Sequence, residues 1–262
     1  MLAASSLQHV FPKPKNNLQC ASRVRGGIGI RVRFRTVSRK GWEFESPRTH
    51  MSFKAIFFDM DGLLVDTESL MFNANQEVLA GAGVEMSKDW YISENLGKGK
   101  SSVELARAKG GSDSEVEMLR KRRNDRYGEI FNESATPIDG VVEVLEILHG
   151  QFLLAIVTSS RRDHFDIIMQ KTRLLRFFDF FITGEDVTNI KPDPEAYVTA
   201  VIRAHQKKEH CLALEDSYKG VRAAKAAGLM CYAIPDVLTK THDFSIADKV
   251  LKNIRELPDL LT

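Results

Sequence analysis

Short apolar runs that stop abruptly at polar residues constrain this chain more than any other feature. Ala-Ile-Phe-Phe at 55–58 runs straight into Asp59-Met60-Asp61-Gly62, and runs of the same texture recur at 152–157, 180–183, 211–214 and 230–234. Helical periodicity fills the intervals at 141–148, 163–175, 194–205 and 221–227. Runs this short, apolar on both alternating sets of side chains, are strands buried on two faces. Strands alternating with helices predict an α/β fold, a Rossmann-like parallel sheet with helices on both sides. Residues 68–133 break the rhythm, with helical patterns only, at 70–80, 88–96, 103–108 and 115–131. The expected organisation is therefore an α/β core from 51–67 and 135–262. A helical cap, 68–134, is inserted after the first strand as a separate small lid.

The 262 residues, 43% of them apolar, suffice for such a core and exclude collagen-like or wholly disordered classes. No apolar run approaches the ~20 residues of a membrane span, so no membrane association is expected. Cys20, Cys211 and Cys231 form neither a disulfide framework nor a metal-binding pair; Cys211 and Cys231 read as buried thiols in a reducing compartment. The net charge of +2 hides an asymmetry. Residues 1–50 carry ten Lys or Arg against Glu43 and Glu45, which leaves 27 bases and 33 acids over 51–262. A folded part at −6 repels phosphate backbones, which argues against nucleic-acid binding. The basic, Arg- and Ser-rich stretch 1–50 lacks apolar periodicity. It reads as a mis-assigned start preceding Met51 or as an organellar transit peptide. Localisation is accordingly expected to be cytoplasmic, or organellar if that stretch is a transit peptide. The pattern is compatible with a monomer.

In an open parallel sheet, ligands bind at the carboxyl ends of the strands. Asp59 and Asp61 follow the first run, Thr158 and Ser159 the second, and Glu215, Asp216 and Ser217 the fourth. Lys191 lies in the Lys191-Pro192-Asp193-Pro194 connection after the third, with Asp193 placed to cap the next helix and Pro194 at its first position. Four carboxylates in one crevice repel by roughly 4 kcal/mol per pair at 4 Å and an effective dielectric near 20. A proton or a cation must offset that. A donor set of oxygen alone, without His or Cys, suits Mg²⁺, which commonly shares its shell with a substrate phosphate. Lys191 and Thr158 supply phosphate donors from the other side, so the expected chemistry is phosphoryl transfer through an aspartyl-phosphate.

Asp59-Met60-Asp61-Gly62-Leu63-Leu64-Val65-Asp66-Thr67-Glu68 resembles the first motif of the haloacid dehalogenase superfamily. Ile156-Val157-Thr158-Ser159, Lys191-Pro192-Asp193-Pro194 and Leu214-Glu215-Asp216-Ser217 resemble its second to fourth motifs, in order, over residues 54 to about 235. The helical insert is similar to the lid of the phosphatase and β-phosphoglucomutase branch. This resemblance implies Asp59 as nucleophile and Asp61 as general acid and base, its backbone carbonyl also touching the metal. Glu215 and Asp216 would hold Mg²⁺ with Asp59 and Asp61, and Thr158, Ser159 and Lys191 would bind the transferring phosphoryl group of a small phosphorylated substrate.

Each of these residues alone has a commoner structural role: a turn for Asp61-Gly62, a cap or solvated pair for Glu215-Asp216, a surface charge for Lys191. Their ordered placement at successive strand ends is what a chance explanation lacks. Gly97-Lys98-Gly99-Lys100-Ser101 is no P-loop, since no strand precedes it; Lys100 is better placed in a lid loop facing the substrate. The second Asp excludes dehalogenase chemistry within the resemblance. The mutase group carries a His where this chain has Met71, which favours hydrolysis over a β-phosphoglucomutase-like reaction. A catalytically silent binding protein on the same fold is the remaining alternative, and intact Asp59, Asp61, Lys191 and Asp216 weigh against it. Because nothing upstream of residue 51 carries core periodicity, deleting residues 1–50 should change unfolding free energy by no more than a few tenths of a kcal/mol. Thermal melts of the full and shortened chains check this.

Overall fold

The computed structural model describes residues 53–261, so the basic stretch 1–50, with Cys20 and Met51, lies outside the described residues. Strands β1 (Ala55–Phe58), β2 (Leu153–Val157), β3 (Phe180–Ile182), β4 (Cys211–Glu215), β5 (Met230–Ala233) and β6 (Lys249–Val250) form one parallel sheet in the order β3-β2-β1-β4-β5-β6. Every pairing is parallel, with Phe58 opposite Ile156 on one side and Leu214 on the other. The first strand is therefore central, and the three strands that end in acids or hydroxyls lie side by side.

Side chains alternate across the sheet with a period of two. Ile56, Phe58, Leu154, Ile156, Leu212 and Leu214 face one way, into a core shared with α5 (Val141–Leu148) and α6 (Arg162–Thr172). Ala55, Phe57, Ala155, Val157, Ala213 and Cys231 face the other, against α7 (Glu195–Arg203) and α8 (Tyr218–Ala226). The second face is rich in Ala, and Ala196, Ala200, Ala223 and Ala224 of the helices match it, so backbones approach closely. Cys211 and Cys231 are buried and unpaired there, as their strand context predicts.

Element boundaries differ from the sequence expectation where local chemistry intervenes. Helix α7 begins at Glu195 with Pro194 as its cap position, and Asp193 acts one residue further out by accepting the Glu195 N–H at 2.9 Å. The pattern expected over 163–175 ends at Thr172, because Arg173 takes a left-handed conformation and Leu174–Phe177 tightens into a 3-10 turn. Strand β6 has two residues, both exposed, and so carries no apolar signal that could have announced it.

Between β1 and β2 lie α1 (Glu68–Ala80), α2 (Lys88–Trp90) continued by a π-helical stretch Tyr91–Leu96, α3 (Glu104–Ala108) and α4 (Asp113–Ser134). Ser112 opens α4 with a reciprocal capping box to Glu115. The insert has its own core, formed by Val78, Leu79, Met86, Leu96, Val103, Val116 and Leu119. It is more firmly docked than a lid hung on two connections. Tyr127 and Phe131 of α4 enter the sheet's core, where the His164 ring of α6 stands edge-on to both and its Nε2 meets the Asn124 carbonyl at 3.0 Å. No helix among the described residues is long and apolar enough to cross a membrane. Phe131→Ala should remove a fully buried apolar contact between insert and core and cost about 3–5 kcal/mol. Urea unfolding of the variant beside the wild type measures it.

Candidate active site

The turn after β1 is built to aim two carboxylates upward. Gly62 has φ +77°, and a Cβ there would meet Asp216 Oδ2 at 2.6 Å, so both the left-handed backbone and the close approach require glycine. The amides of Leu64 and Val65 return to the Met60 carbonyl, and Asp59 N–H bonds the Leu214 carbonyl at 3.0 Å, which ties the turn to the end of β4.

At the centre lies Lys191, 3% exposed. Its ammonium donates to Asp59 Oδ1, Glu215 Oε1 and the Val157 carbonyl, each at 2.6 Å. Tyr197 of α7 lies beneath, its hydroxyl donating to the same Glu215 oxygen at 2.5 Å and its ring centroid 4.9 Å from the ammonium. Burial works against the Lys191 charge, but Asp59 and Glu215 outweigh it and raise the ammonium's pKa above the ordinary lysine value. Asp61 is held separately. Thr67 donates to one of its oxygens at 2.7 Å, and Thr158 and Ser160 donate to the other at 3.0 and 2.6 Å.

Asp59, Glu215 and Asp216 each offer a carboxylate oxygen within 4.8 Å of the others. Glu215 Oε2 and Asp216 Oδ2 are buried without a hydrogen-bond partner. Gly220 leaves the room Glu215 needs, since a Cβ there would lie 1.9 Å from Oε2. Burial drives the Asp59 carboxyl up to about 7 against the pull of Lys191, and Glu215 and Asp61 push the same way. Asp216 is raised well above the carboxylate range by burial and by the charges of Asp59, Glu68 and Glu215. Unpartnered buried carboxylate oxygens converging without a nitrogen or sulfur donor fit a divalent cation.

A cavity of about 300 Å³ opens above this floor between sheet and insert. Asp59, Asp61, Lys191, Asp216 and Ser159 of the sequence-derived set line it, and the Ser159 hydroxyl has no hydrogen-bond partner. Thr158 is turned away, its hydroxyl spent on Asp61 and on the Ser160 amide. Glu215 lies one layer below, behind Lys191. The Asp61 carboxylate, its oxygens held by hydroxyls, is not one of this trio; the metal contact the resemblance implies for Asp61 is through its backbone carbonyl, not through these oxygens. Lys100, expected to face the substrate, is about 60% exposed and paired at 2.5 Å with Glu94, which also takes Lys98; it does not line the cavity.

Instead the insert presents Arg123 of α4. Its guanidinium is propped by the hydroxyls of Ser101 and Ser102 and the Asn124 side chain, and among the described residues it has no carboxylate partner. In the sequence, 120–126 has the composition of a solvated charged face, so nothing local sets Arg123 apart. Glu68 was likewise missed. It is buried, accepts from Tyr91 at 3.2 Å, and is raised to about 8 by burial, with Lys219 opposing and Asp61 and Asp59 adding to the rise. Its signal was available in the charged residue closing the first motif. Met71, at the mutase histidine's place, also lines the cavity.

Fold and site together define a hydrolase on a Rossmann-like sheet with a buried, cation-suited carboxylate centre. The chain belongs to the haloacid dehalogenase-like hydrolase family, whose model matches residues 56–234. It is 32% identical to protein CbbY of Rhodobacter capsulatus, over 76% of this chain and 92% of that protein. It is 33% identical to a phosphorylated carbohydrates phosphatase of Thermotoga maritima, over 67% of this chain and 82% of that protein. The crystal structure of CbbY from Rhodobacter sphaeroides in complex with phosphate superimposes with a TM-score of 0.68 at 27% identity, covering 78% of this chain and 96% of that one.

Raised carboxyl pKa values make a stability statement with a definite sign. Asp59 at about 7 and Glu68 at about 8 bind protons more tightly folded than unfolded, where values near 4 apply. Their contribution to stability is fully present below pH 4 and is lost as pH rises through 7 and 8. In chelator, the melting temperature should therefore fall between pH 6 and pH 8.5, and added Mg²⁺ should recover more at the upper end. Differential scanning fluorimetry across that range reads both slopes; a flat or rising apo curve contradicts the assignment.

Proposed function

We propose that this protein is a Mg²⁺-dependent phosphatase that hydrolyses a small phosphorylated metabolite, a sugar or polyol phosphate, through an aspartyl-phosphate on Asp59. The observation that carries the reading is the Asp59–Lys191 contact at 2.6 Å, on the floor of a cavity that also meets two unpartnered carboxylate oxygens. The phosphatase named among the relatives, and the phosphate-bound relative, support the same reaction class.

Lys191 holds Oδ1 of Asp59 and leaves Oδ2 as the attacking atom. Attack on phosphorus forms the Asp59–phosphorus bond as the ester P–O bond breaks, and Asp61 gives its proton to the departing alcohol oxygen. Asp61 then takes a proton from the water that attacks the acyl phosphate, releasing phosphate and restoring Asp59. The Thr67, Thr158 and Ser160 hydroxyls hold Asp61 at one position through both proton transfers. Ser159 and Lys191 donate to the phosphoryl oxygens. A divalent cation bound by Asp59, Asp216 and the open oxygen of Glu215 supplies charge neutralisation for the phosphoryl group. The insert acts as a cap that excludes water, with Arg123 directed at the substrate's non-reacting end. Met71 in the cavity wall favours hydrolysis over a mutase, since a thioether shuttles no proton.

Phosphate release should require Mg²⁺ across a panel of sugar, polyol and glycerol phosphates. Asp59→Asn should abolish it with the fold intact, and Asp61→Asn should lower kcat by roughly 10²–10⁴-fold. Turnover that survives Asp59→Asn, or excess chelator, refutes the mechanism.

A further inference from the structure

Lysine has three N–H donors, and in this structure Lys191 has none to spare. All three are engaged at 2.6 Å, on Asp59, the Val157 carbonyl and Glu215. A phosphoryl group that is to be bound by Lys191 must displace one of them. The Asp59 bond fixes the nucleophile, and the Val157 carbonyl, at the end of β2, has no other donor from a side chain among the described residues. Glu215 differs, because a second donor already stands on the same oxygen. Tyr197, fully buried on α7, gives its hydroxyl hydrogen to Glu215 Oε1 at 2.5 Å, while its contact with the Lys191 ammonium is long, at 3.4 Å.

We propose that Tyr197 is a positioning residue for phosphate binding: its hydroxyl keeps Glu215 Oε1 bonded when Lys191 leaves that oxygen for the phosphoryl group. The proposal rests on the phosphatase reading. Without the hydroxyl, the departure of Lys191 would strand an ionised oxygen in a site closed to water, and a buried acceptor left without a donor weakens the equilibrium that strands it by roughly 5- to 100-fold. With it, the lysine can exchange partners at little cost. The same bond holds Glu215 by Oε1, which leaves Oε2 as its oxygen without a partner.

Tyr197→Phe keeps the ring that fills the space under Lys191 and removes only the hydroxyl. Inorganic phosphate, titrated calorimetrically into Mg²⁺-loaded protein, should bind the variant about tenfold or more weakly. KM should rise in parallel, with kcat lowered far less, and with the ligand-free melting temperature and the Mg²⁺ affinity close to wild type. A purely packing role predicts the reverse, a lower melting temperature with phosphate affinity unchanged, and that result overturns the proposal. So does a loss of phosphate affinity matched by an equal loss of Mg²⁺ affinity. A second background keeps the test decisive if the single variant melts without cooperativity. In Glu215→Ala the acceptor itself is gone, so at saturating Mg²⁺ adding Tyr197→Phe should weaken phosphate binding by no more than about twofold, whereas an undiminished tenfold loss there refutes the coupling. Failure of the phosphatase reading looks different: the wild type itself would neither bind phosphate nor release it.

Discussion

One buried ammonium makes the rest of this site possible. Asp59 and Glu215 come from neighbouring strands and would repel strongly in a place almost closed to water. Lys191 lies between them, reached from a loop beyond β3, and satisfies both together with the end of β2. Its three bonds join the ends of β1, β2 and β4 at a single atom. The carboxyl edge of the sheet is thereby held rigid where the chemistry occurs. Asp216 and Glu68, which Lys191 does not reach, also carry charge that a bound cation or protons must offset.

The insert forms one side of the cavity. Sheet and insert meet at α4, whose second half packs into the main core through Tyr127 and Phe131 while its first half belongs to the insert's own core. Arg123 stands at the changeover. A buried polar chain of Asn75, Tyr127 and Ser102 links α1, α4 and the start of α3 around it. The guanidinium is thus positioned by serines and an amide, with no carboxylate to quench it. That leaves one end of the cavity cationic and hydrogen-bonding, the other acidic. A substrate with its phosphate on the floor and hydroxyls or a second anion at the far end matches this polarity.

Much of this is legible in the sequence. The alternation of apolar runs determined the sheet, and all five expected strands fall within one residue of the observed ones because burial on both faces leaves little freedom in composition. The run at 68–133, with helical periodicity and no strand texture, determined that a helical insert follows the first strand. Asp59, Asp61, Lys191 and Asp216 were legible because strand ends in a parallel sheet converge, so polar residues placed there must meet. Local structure then decided the details that spacing alone leaves open, such as Asp193 capping from outside α7 and the two exposed residues of β6 pairing without an apolar run.

Tertiary structure alone decided which atoms are free. Lys191 meets Asp59 across 132 residues and Glu215 across 24, and no local pattern predicts that its donors are exhausted or that Tyr197 shares its load. Lys100 and Arg123 show the same limit. Both are cations on the insert, but Glu94 neutralises the first, while the packing of α4 on the sheet turns the second toward the cavity with hydroxyl and amide partners only. The sequence by itself determined the fold class and the set of reactive groups, since periodicity and residue chemistry are local properties. Which groups are paired, buried or open to a ligand follows from contacts between distant segments, and those exist only once the chain has packed.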